Sequence, residues 1–306
     1  MAIVKTDIPI TSQLNWQWSQ QLSQRYPSIR AENLTWTAFG RPIPILTMGS
    51  GSRKVLFSAA HHANEWITAP VLLKFLEQLA QAQEDGSLLG GRSAQKLLQQ
   101  VTIVSVPMVN PDGVDLVTGA ISPGTAQYQR AEMFSADYPG IPFPEGWRAN
   151  LNGVDLNLQY PAGWRQARAI KFEKGFTLPG PRDYVGRAPL NQRESFHLAR
   201  LTEQVVPELV LALHSQGQVI YWKYRDYAVP GARELGQKMA AVSGYELADT
   251  PFASSFAGYK DWFIEGYRKP GYTIEVGIGE NPLPLSQFDQ IYEDVLGILL
   301  IAAAGT

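Results

Sequence analysis

Apolar residues are arranged along the chain in two patterns. Some recur at helical spacing, and others form the short continuous runs that are typical of buried strands. Residues 12–26 alternate polar and apolar positions at helical spacing and stop before Pro27, which predicts a first helix. Short runs of β-branched and large apolar residues, bounded by turn residues, predict strands. Further helices are predicted at 65–83, 192–206, 231–243 and 286–303. The predicted strands are 34–39, 42–48, 54–59, 101–107, 208–213, 218–222 and 271–276.

Apolar strands that alternate with helices predict an α/β fold with a mostly parallel or mixed sheet. In such sheets ligands gather at the ends of the strands. A polar residue lies at or just after the end of three of the predicted strands: His62, His214 and Glu275. These three positions are therefore the first candidates for chemistry.

Two segments between the predicted elements have turn or loop composition. Residues 110–113 (NPDG) predict a turn after the strand at 101–107. Residues 117–190 are rich in Gly, Pro and aromatic residues and predict little regular structure. A loop region of that length inside a domain is usually functional rather than a linker.

Composition narrows the function classes. The 306 residues are 45% hydrophobic and 18% charged, as in a globular protein, and we expect one domain over 1–306 with its core at roughly 10–300. The net charge of −2, without a long Lys/Arg run, argues against nucleic acid and favours a small diffusible substrate. Neither a signal-peptide h-region nor a membrane-spanning run is seen, so we expect a cytoplasmic protein with no membrane contact and no obligate protein partner.

The chain has no cysteine, so a metal site must use His, Asp or Glu. His62 and Glu65 lie three apart at the start of a predicted helix, where such positions face the same way. Catalytic zinc takes three protein ligands and one water. A His-x-x-Glu sequence also occurs by chance, and His214 could be a hydrogen-bonded core histidine. Of the other histidines, His61 and His197 are expected to be structural.

Five segments favour a metal site, because they resemble the zinc carboxypeptidase family in order and spacing. They are SAAHHANEWITAP (58–70), NPDG (110–113), GVDLN (153–157), LALHSQGQ (211–218) and YTIEVG (272–277). The resemblance covers roughly residues 10–300. It implies a carboxypeptidase-like single-domain fold, with a central mixed twisted sheet flanked by helices on both faces.

The resemblance also implies a metal and a base. It assigns one Zn²⁺ per chain to His62, Glu65 and His214. It assigns the role of general base to Glu275, which would take a proton from the zinc-bound water and return it to the leaving amine. The alternative for Glu275 is a surface salt bridge, which its place at the end of an apolar run makes unfavourable.

Two further residues gain roles from the resemblance. Arg148 matches the arginine that stabilises the oxyanion of the tetrahedral intermediate. Asp155 matches the carboxylate that holds a zinc-bound imidazole through its other N–H. The alternatives are a solvated loop arginine and a simple turn residue.

The sequence departs from the carboxypeptidases where they bind the substrate's terminal carboxylate. Asn157 matches a substrate-binding asparagine, but Leu158 replaces the arginine that follows it, and a leucine cannot pair with a carboxylate. Lys260 occupies the position that sets side-chain preference, where a cation favours an anionic substrate; otherwise it is a surface lysine. Tyr259 is a candidate to replace the family's mobile-loop tyrosine.

Taken together, the segments at 61–70, 153–164 and 250–263 resemble most closely the bacterial γ-D-glutamyl-diamino acid endopeptidases. That branch implies hydrolysis of the bond between D-glutamate and diaminopimelate in cell-wall peptides, with a small muropeptide as substrate. The alternatives are a carboxypeptidase or amidase of other specificity on the same fold, or a muropeptide-binding protein without activity.

Overall fold

An eight-stranded sheet forms the centre of the computed structural model, which describes residues 2–305. The strand order across the sheet is β1-β2-β6-β3-β7-β10-β8-β9, and β4 and β5 form a separate small hairpin. The strands are β1 (Ile29–Trp36), β2 (Pro42–Met48), β3 (Arg53–Ala59), β4 (Leu88–Leu89), β5 (Arg92–Ser93), β6 (Val101–Val106), β7 (Leu209–Ser215), β8 (Val219–Tyr221), β9 (Glu246–Ala248) and β10 (Gly271–Val276).

The sheet is mixed. Strands β6, β3, β7 and β10 run parallel in its middle. On one side β1 pairs antiparallel with β2, and β2 with β6. On the other side β8 pairs antiparallel with β10, and β9 runs parallel to β8. The carboxyl ends of β3, β7 and β10 therefore meet at one edge, and His214 on β7 lies directly opposite Glu275 on β10.

Helices cover both faces of the sheet. The helices among the described residues are α1 (Ser12–Arg25), α2 (Thr68–Asp85), α3 (Ala94–Gln100), α4 (Pro111–Val117), α5 (Ala126–Ser135), α6 (Trp164–Glu173), α7 (Arg193–Val205), α8 (Ala232–Ser243), α9 (Tyr259–Tyr267) and α10 (Phe288–Ala304). Successive side chains of a strand point to opposite faces. In β3, Val55 and Phe57 accordingly pack with α2 and α10, whereas Leu56 packs with α7 and α9. The predicted α/β fold with a mixed sheet between helical layers is confirmed.

Three local predictions were wrong. The first strand is Ile29–Trp36, not 34–39, because its polar edge-strand residues hide the period. Residues 110–113 begin helix α4 instead of ending in a turn, since the Asn110 side chain caps Gly113 N and Pro111 stands at the first helical position. Residues 117–190 contain α5 and α6, two surface helices that bury few apolar side chains.

None of the helices within residues 2–305 combines the length and the apolar character needed to cross a bilayer.

Candidate active site

Three segments at the carboxyl edge of the sheet carry the predicted metal ligands. After β3, Ala60 adopts a left-handed conformation with φ 48°, which turns the chain sharply before His62. A short 3₁₀ turn then brings Glu65 beside His62, and the Thr68 hydroxyl fixes this turn by donating to the Glu65 carbonyl at 2.8 Å. His214 lies one residue before the end of β7. The local backbone thus aims three side chains at one point.

His62, Glu65 and His214 are buried and offer ligand atoms that all lie within 4.8 Å of one another. The two oxygens of Glu65 each lie 2.8 Å from a histidine Nδ1 atom, one from His62 and the other from His214. The two Nδ1 atoms are 3.2 Å apart. Two carboxylate oxygens and two imidazole nitrogens therefore converge on one point, and a cation is what this donor set fits.

Asp155 fixes which nitrogen of His62 faces the cluster. A carboxylate can only accept, so His62 Nε2 donates to Asp155 Oδ1 at 3.2 Å and leaves Nδ1 with its lone pair towards Glu65. Burial would raise the pKa of Asp155, but His62 and Arg148 outweigh it and lower that pKa. The residue matched to a histidine-orienting role thus lies in hydrogen-bond contact with that histidine.

Glu275 faces the same point from the neighbouring strand. Burial, followed by the nearby Glu65 carboxylate, raises its pKa to about 8, although Arg148 and His62 act in the opposite direction. A carboxyl group whose pKa lies near neutrality can accept and return a proton.

Arg148 lies against the triad. Its Nη2 is 3.0 Å from His62 Nδ1 and its Nη1 is 3.2 Å from Glu65 Oε1. Burial alone would lower the pKa of this guanidinium, but the carboxylates of Glu65 and Asp155 raise it. Its backbone N–H donates to the Pro181 carbonyl at 2.7 Å, which ties this part of the chain to a second loop.

These side chains line a cavity of about 210 Å³ that is rich in charge. The basic residues in its wall are Arg148, Lys171, Arg182 and Lys260. The acidic residues are Asp155, Asp183, Asp261 and Glu275. Opposite charges are thus balanced in number around the candidate metal centre.

Asn157 and Leu158 both line the cavity, as a substrate-binding position requires. Asn157 Oδ1 accepts from the backbone N–H of Tyr259 at 3.0 Å, so its amide group is held in a fixed orientation. Leu158 packs with the apolar cluster that contains Val185 and Phe256. The wall is therefore apolar where the carboxypeptidases have an arginine.

Lys260, which was predicted to favour an anionic substrate, does not present a free ammonium group to the cavity. Its side chain does line the cavity, but Nζ lies 2.5 Å from Asp261 Oδ1 and donates to the Lys223 carbonyl at 2.7 Å. Both residues of the pair are buried. This part of the cavity wall therefore presents an ion pair rather than a net positive charge.

The prediction that Tyr259 binds substrate is contradicted by its position. The side chain is fully buried, and its hydroxyl shares a 2.7 Å hydrogen bond with Thr202 Oγ1. Tyr259, the first residue of α9, thus belongs to the hydrophobic core. The buried His61 stacks on His214 with ring centroids 5.3 Å apart, and His197 lies half-buried on α7.

The sequence did not single out several residues of the cavity wall. Lys171, Arg182 and Asp183 come from the segment that was predicted to be irregular, and Tyr221 is the last residue of β8. The composition of residues 117–190 signalled a functional loop, but no motif marked which of its charges would face the cavity.

Comparison with known proteins agrees with this geometry. The chain is 40% identical over 297 residues to gamma-D-glutamyl-L-diamino acid endopeptidase 1 of Lysinibacillus sphaericus, covering 95% of this chain and 73% of the relative. Its fold is similar to that of bovine thrombin-activatable fibrinolysis inhibitor, with a TM-score of 0.75, 16% identity and 98% of each chain covered. It is also similar to the murein-tripeptide amidase MpaA of Escherichia coli O157, with a TM-score of 0.54, 19% identity, and 88% of this chain and 91% of that chain covered.

The family match covers most of the chain. Residues 16–296 match the family described as zinc carboxypeptidase. The predicted family and the predicted zinc cofactor are confirmed, since the family uses zinc and the residues at 62, 65 and 214 form a triad able to hold it. The chain belongs to the zinc carboxypeptidase family and is a zinc-dependent metallopeptidase.

Proposed function

We propose that this protein hydrolyses the γ-D-glutamyl-diaminopimelate bond of bacterial cell-wall peptides. His62, Glu65 and His214 would hold the zinc ion. When bound, the ion supplies Lewis-acid chemistry, polarising a carbonyl and acidifying a water. The remaining work falls to groups of the chain that face the same cavity.

Glu275 is the proposed general base. Its carboxylate takes a proton from the attacking water and delivers it to the leaving nitrogen, which becomes the free amine of the diamino acid. The raised pKa of about 8 supports this role, because the group then holds the proton firmly enough to carry it between the two atoms.

Arg148 and Asp155 are proposed to assist without proton transfer. The guanidinium of Arg148 lies beside the triad, so it can stabilise the negative charge that develops on the carbonyl oxygen. Asp155 keeps His62 in the tautomer that presents Nδ1 to the cluster. Asn157, with its oxygen held by Tyr259 N–H, is the proposed polar contact for substrate.

The single observation that carries the substrate class is the charge pattern of the cavity. Four basic and four acidic side chains line it, and an apolar Leu158 stands among them. A muropeptide that ends in diaminopimelate carries carboxylates and an ammonium group within a few bonds, and so matches a wall of mixed sign. The 40% identity to an enzyme named as a γ-D-glutamyl-L-diamino acid endopeptidase supports the same choice.

Two synthetic substrates test the proposal. The zinc-loaded protein should cleave L-Ala-γ-D-Glu-diaminopimelate, releasing diaminopimelate, and should be slow on a hippuryl amino acid. Product identity is measured by chromatography and mass spectrometry. Cleavage of only the hippuryl compound would indicate an ordinary carboxypeptidase, and stoichiometric zinc without any hydrolysis would indicate a binding protein.

A further inference from the structure

The segment that follows Pro181 is fastened along the metal site by its backbone. The Pro181 carbonyl accepts from Arg148 N–H at 2.7 Å, and the Tyr184 carbonyl accepts from Asp155 N–H at 2.9 Å. The N–H of Asp183 lies 3.4 Å from Asp155 Oδ2. Pro181 thus contacts Arg148, the proposed oxyanion-stabilising residue, and Asp183 contacts Asp155, which orients His62. Arg182 lies between Pro181 and Asp183.

A buried carboxylate orients the Arg182 side chain. Asp183 Oδ2 accepts from Arg182 Nε at 2.6 Å, while Asp183 Oδ1 pairs with Lys171 of α6. Burial and Asp155 raise the pKa of Asp183, but the two cations outweigh them and lower it, so the carboxylate stays ionised. One anion between two cations leaves one positive charge in excess.

That excess charge is presented by Arg182. Its Nε is used by Asp183, whereas neither of its terminal Nη atoms has a hydrogen-bond partner among residues 2–305. The side chain is 42% exposed and lines the same cavity as the metal triad. The two Nη groups of a guanidinium form a fork that matches the two oxygens of a carboxylate.

The other cations of the cavity lack this freedom. Lys171 and Lys260 are each paired with a buried carboxylate, and Arg148 faces the triad. Leu158, which cannot bind an anion, lies three residues after Asp155, on the stretch to which the Arg182 segment is hydrogen-bonded. Arg182, which lies on the adjacent loop, can therefore bind an anion in the part of the cavity where Leu158 provides no charge.

We infer that Arg182 binds a free carboxylate of the diamino acid on the leaving-group side of the scissile bond, with Asp183 and Lys171 as its positioning residues. This inference rests on the proposed function, because it takes the substrate from there. It adds the residue that selects an acidic leaving group where the neighbouring wall is apolar.

The test compares three peptides on the zinc-loaded protein. The first is L-Ala-γ-D-Glu-diaminopimelate, the second has both diaminopimelate carboxylates converted to amides, and the third carries an amide only on the D-Glu α-carboxylate. Arg182→Gln should lower kcat/KM on the first and third peptides roughly 10- to 100-fold, mostly through KM, and should change the second less than about 3-fold. Arg182→Lys should fall between, since it keeps the charge but loses the fork.

Arg187→Gln is the matched control, because Arg187 is exposed on the same loop and lies outside this cavity. It should leave all three rates unchanged. Zinc content and thermal melting identify any variant that fails to fold, in which case Arg182→Lys decides the question.

The outcomes separate the two proposals. If the parent cleaves the first peptide and Arg182→Gln loses nothing, or loses equally on the first and second peptides, Arg182 is not the carboxylate ligand and the proposed function stands. If amidation of D-Glu instead abolishes the effect of the variant, the assignment to the leaving-group side is wrong. If the parent cleaves none of the peptides, both proposals are overturned.

Discussion

At the scale of single residues, the proposed proton transfer depends on Glu275. Its neighbours across the sheet put its carboxyl beside two histidines and a second carboxylate, and burial raises its pKa to about 8. Replacing it with glutamine keeps the shape and removes the proton acceptor. We expect Glu275→Gln to lower kcat by about 10²–10⁴ while zinc stays stoichiometric, measured by peptide hydrolysis and metal analysis. Glu280→Gln, at an exposed neighbouring position, should behave as the parent. Activity within a few-fold of the parent would exclude the base role.

A second carboxyl, that of Glu194, should make stability depend on pH. Burial raises its pKa from 4.5 to about 7 in the folded protein, although its oxygen accepts from Asn150 at 3.2 Å. The folded state thus binds a proton more tightly than the unfolded state. This contribution to stability is complete below pH 4.5 and is lost as the pH rises through 7, at a total cost of about 3 kcal/mol.

Glu194→Gln should remove that loss, because a neutral amide has no proton to release. The variant should be more stable than the parent at pH 8 and similar to it at pH 5, measured by urea unfolding at both values. Glu203→Gln, exposed on the same helix, should keep the parent's pH dependence. An equal pH dependence in parent and Glu194→Gln would assign the effect to another group.

Sequence reasoning at this scale identified residues whose role depends on a local motif. His62 and Glu65 share one short turn, and Glu275 ends an apolar run, so both signals are contiguous in the chain. It could not foresee the surroundings of Lys260 and Tyr259, because tertiary contacts set them. Lys260 is paired because Asp261 points towards it, and the Tyr259 hydroxyl bonds to Thr202 on another helix.

At the scale of elements, α6 is coupled to the cavity through one buried ion pair. Lys171 and Asp183 have side chains 11% and 10% exposed. Lys171→Met would leave the buried carboxylate with Arg182 alone, and we expect it to lower the free energy of unfolding by about 3 kcal/mol. Adding Asp183→Asn should recover part of the loss, because it removes the buried carboxylate that lost its lysine partner. Both values are measured by urea unfolding.

Lys174→Met provides the comparison, since Lys174 is exposed directly after the last residue of the same helix. It should shift stability by no more than about 0.5 kcal/mol. Equal effects at positions 171 and 174 would show that the ion pair contributes nothing beyond the helix surface.

Strands could be predicted from the sequence where both of their faces are buried. Strands β3 and β7 are apolar on both faces and stand out in the sequence, whereas β1 is an edge strand with a polar, irregular pattern. Helix α5 escaped notice because it buries only Ala131 and Ser135, which leaves no apolar stripe to recognise. The start of helix α4 could have been predicted from the sequence, because Asn110 is a typical capping residue and Pro111 is typical of the first helical position.

At the scale of the whole molecule, the metal triad joins parts of the chain that are distant in sequence. Glu65 follows β3, and His214 belongs to β7, 149 residues further along the chain. Parallel pairing of these strands brings their ends together, which no local sequence feature specifies. Folding thus builds the ligand cluster, and a cation that binds this cluster only in the folded state must in turn stabilise the fold.

Removal of zinc should therefore lower the thermal stability of the entire protein. At a free zinc concentration about 1,000-fold above Kd, binding contributes about 4 kcal/mol, which corresponds to a melting temperature shift of roughly 6 °C for a chain of this size. We expect a chelator to lower the melting temperature of the parent by about that amount and added zinc to restore it. His214→Ala should melt at the same temperature with and without chelator, because one of its ligands is gone, whereas His197→Ala should respond as the parent does. A parent protein that loses its zinc to the chelator without any change in melting temperature would mean that the three side chains do not share one ion.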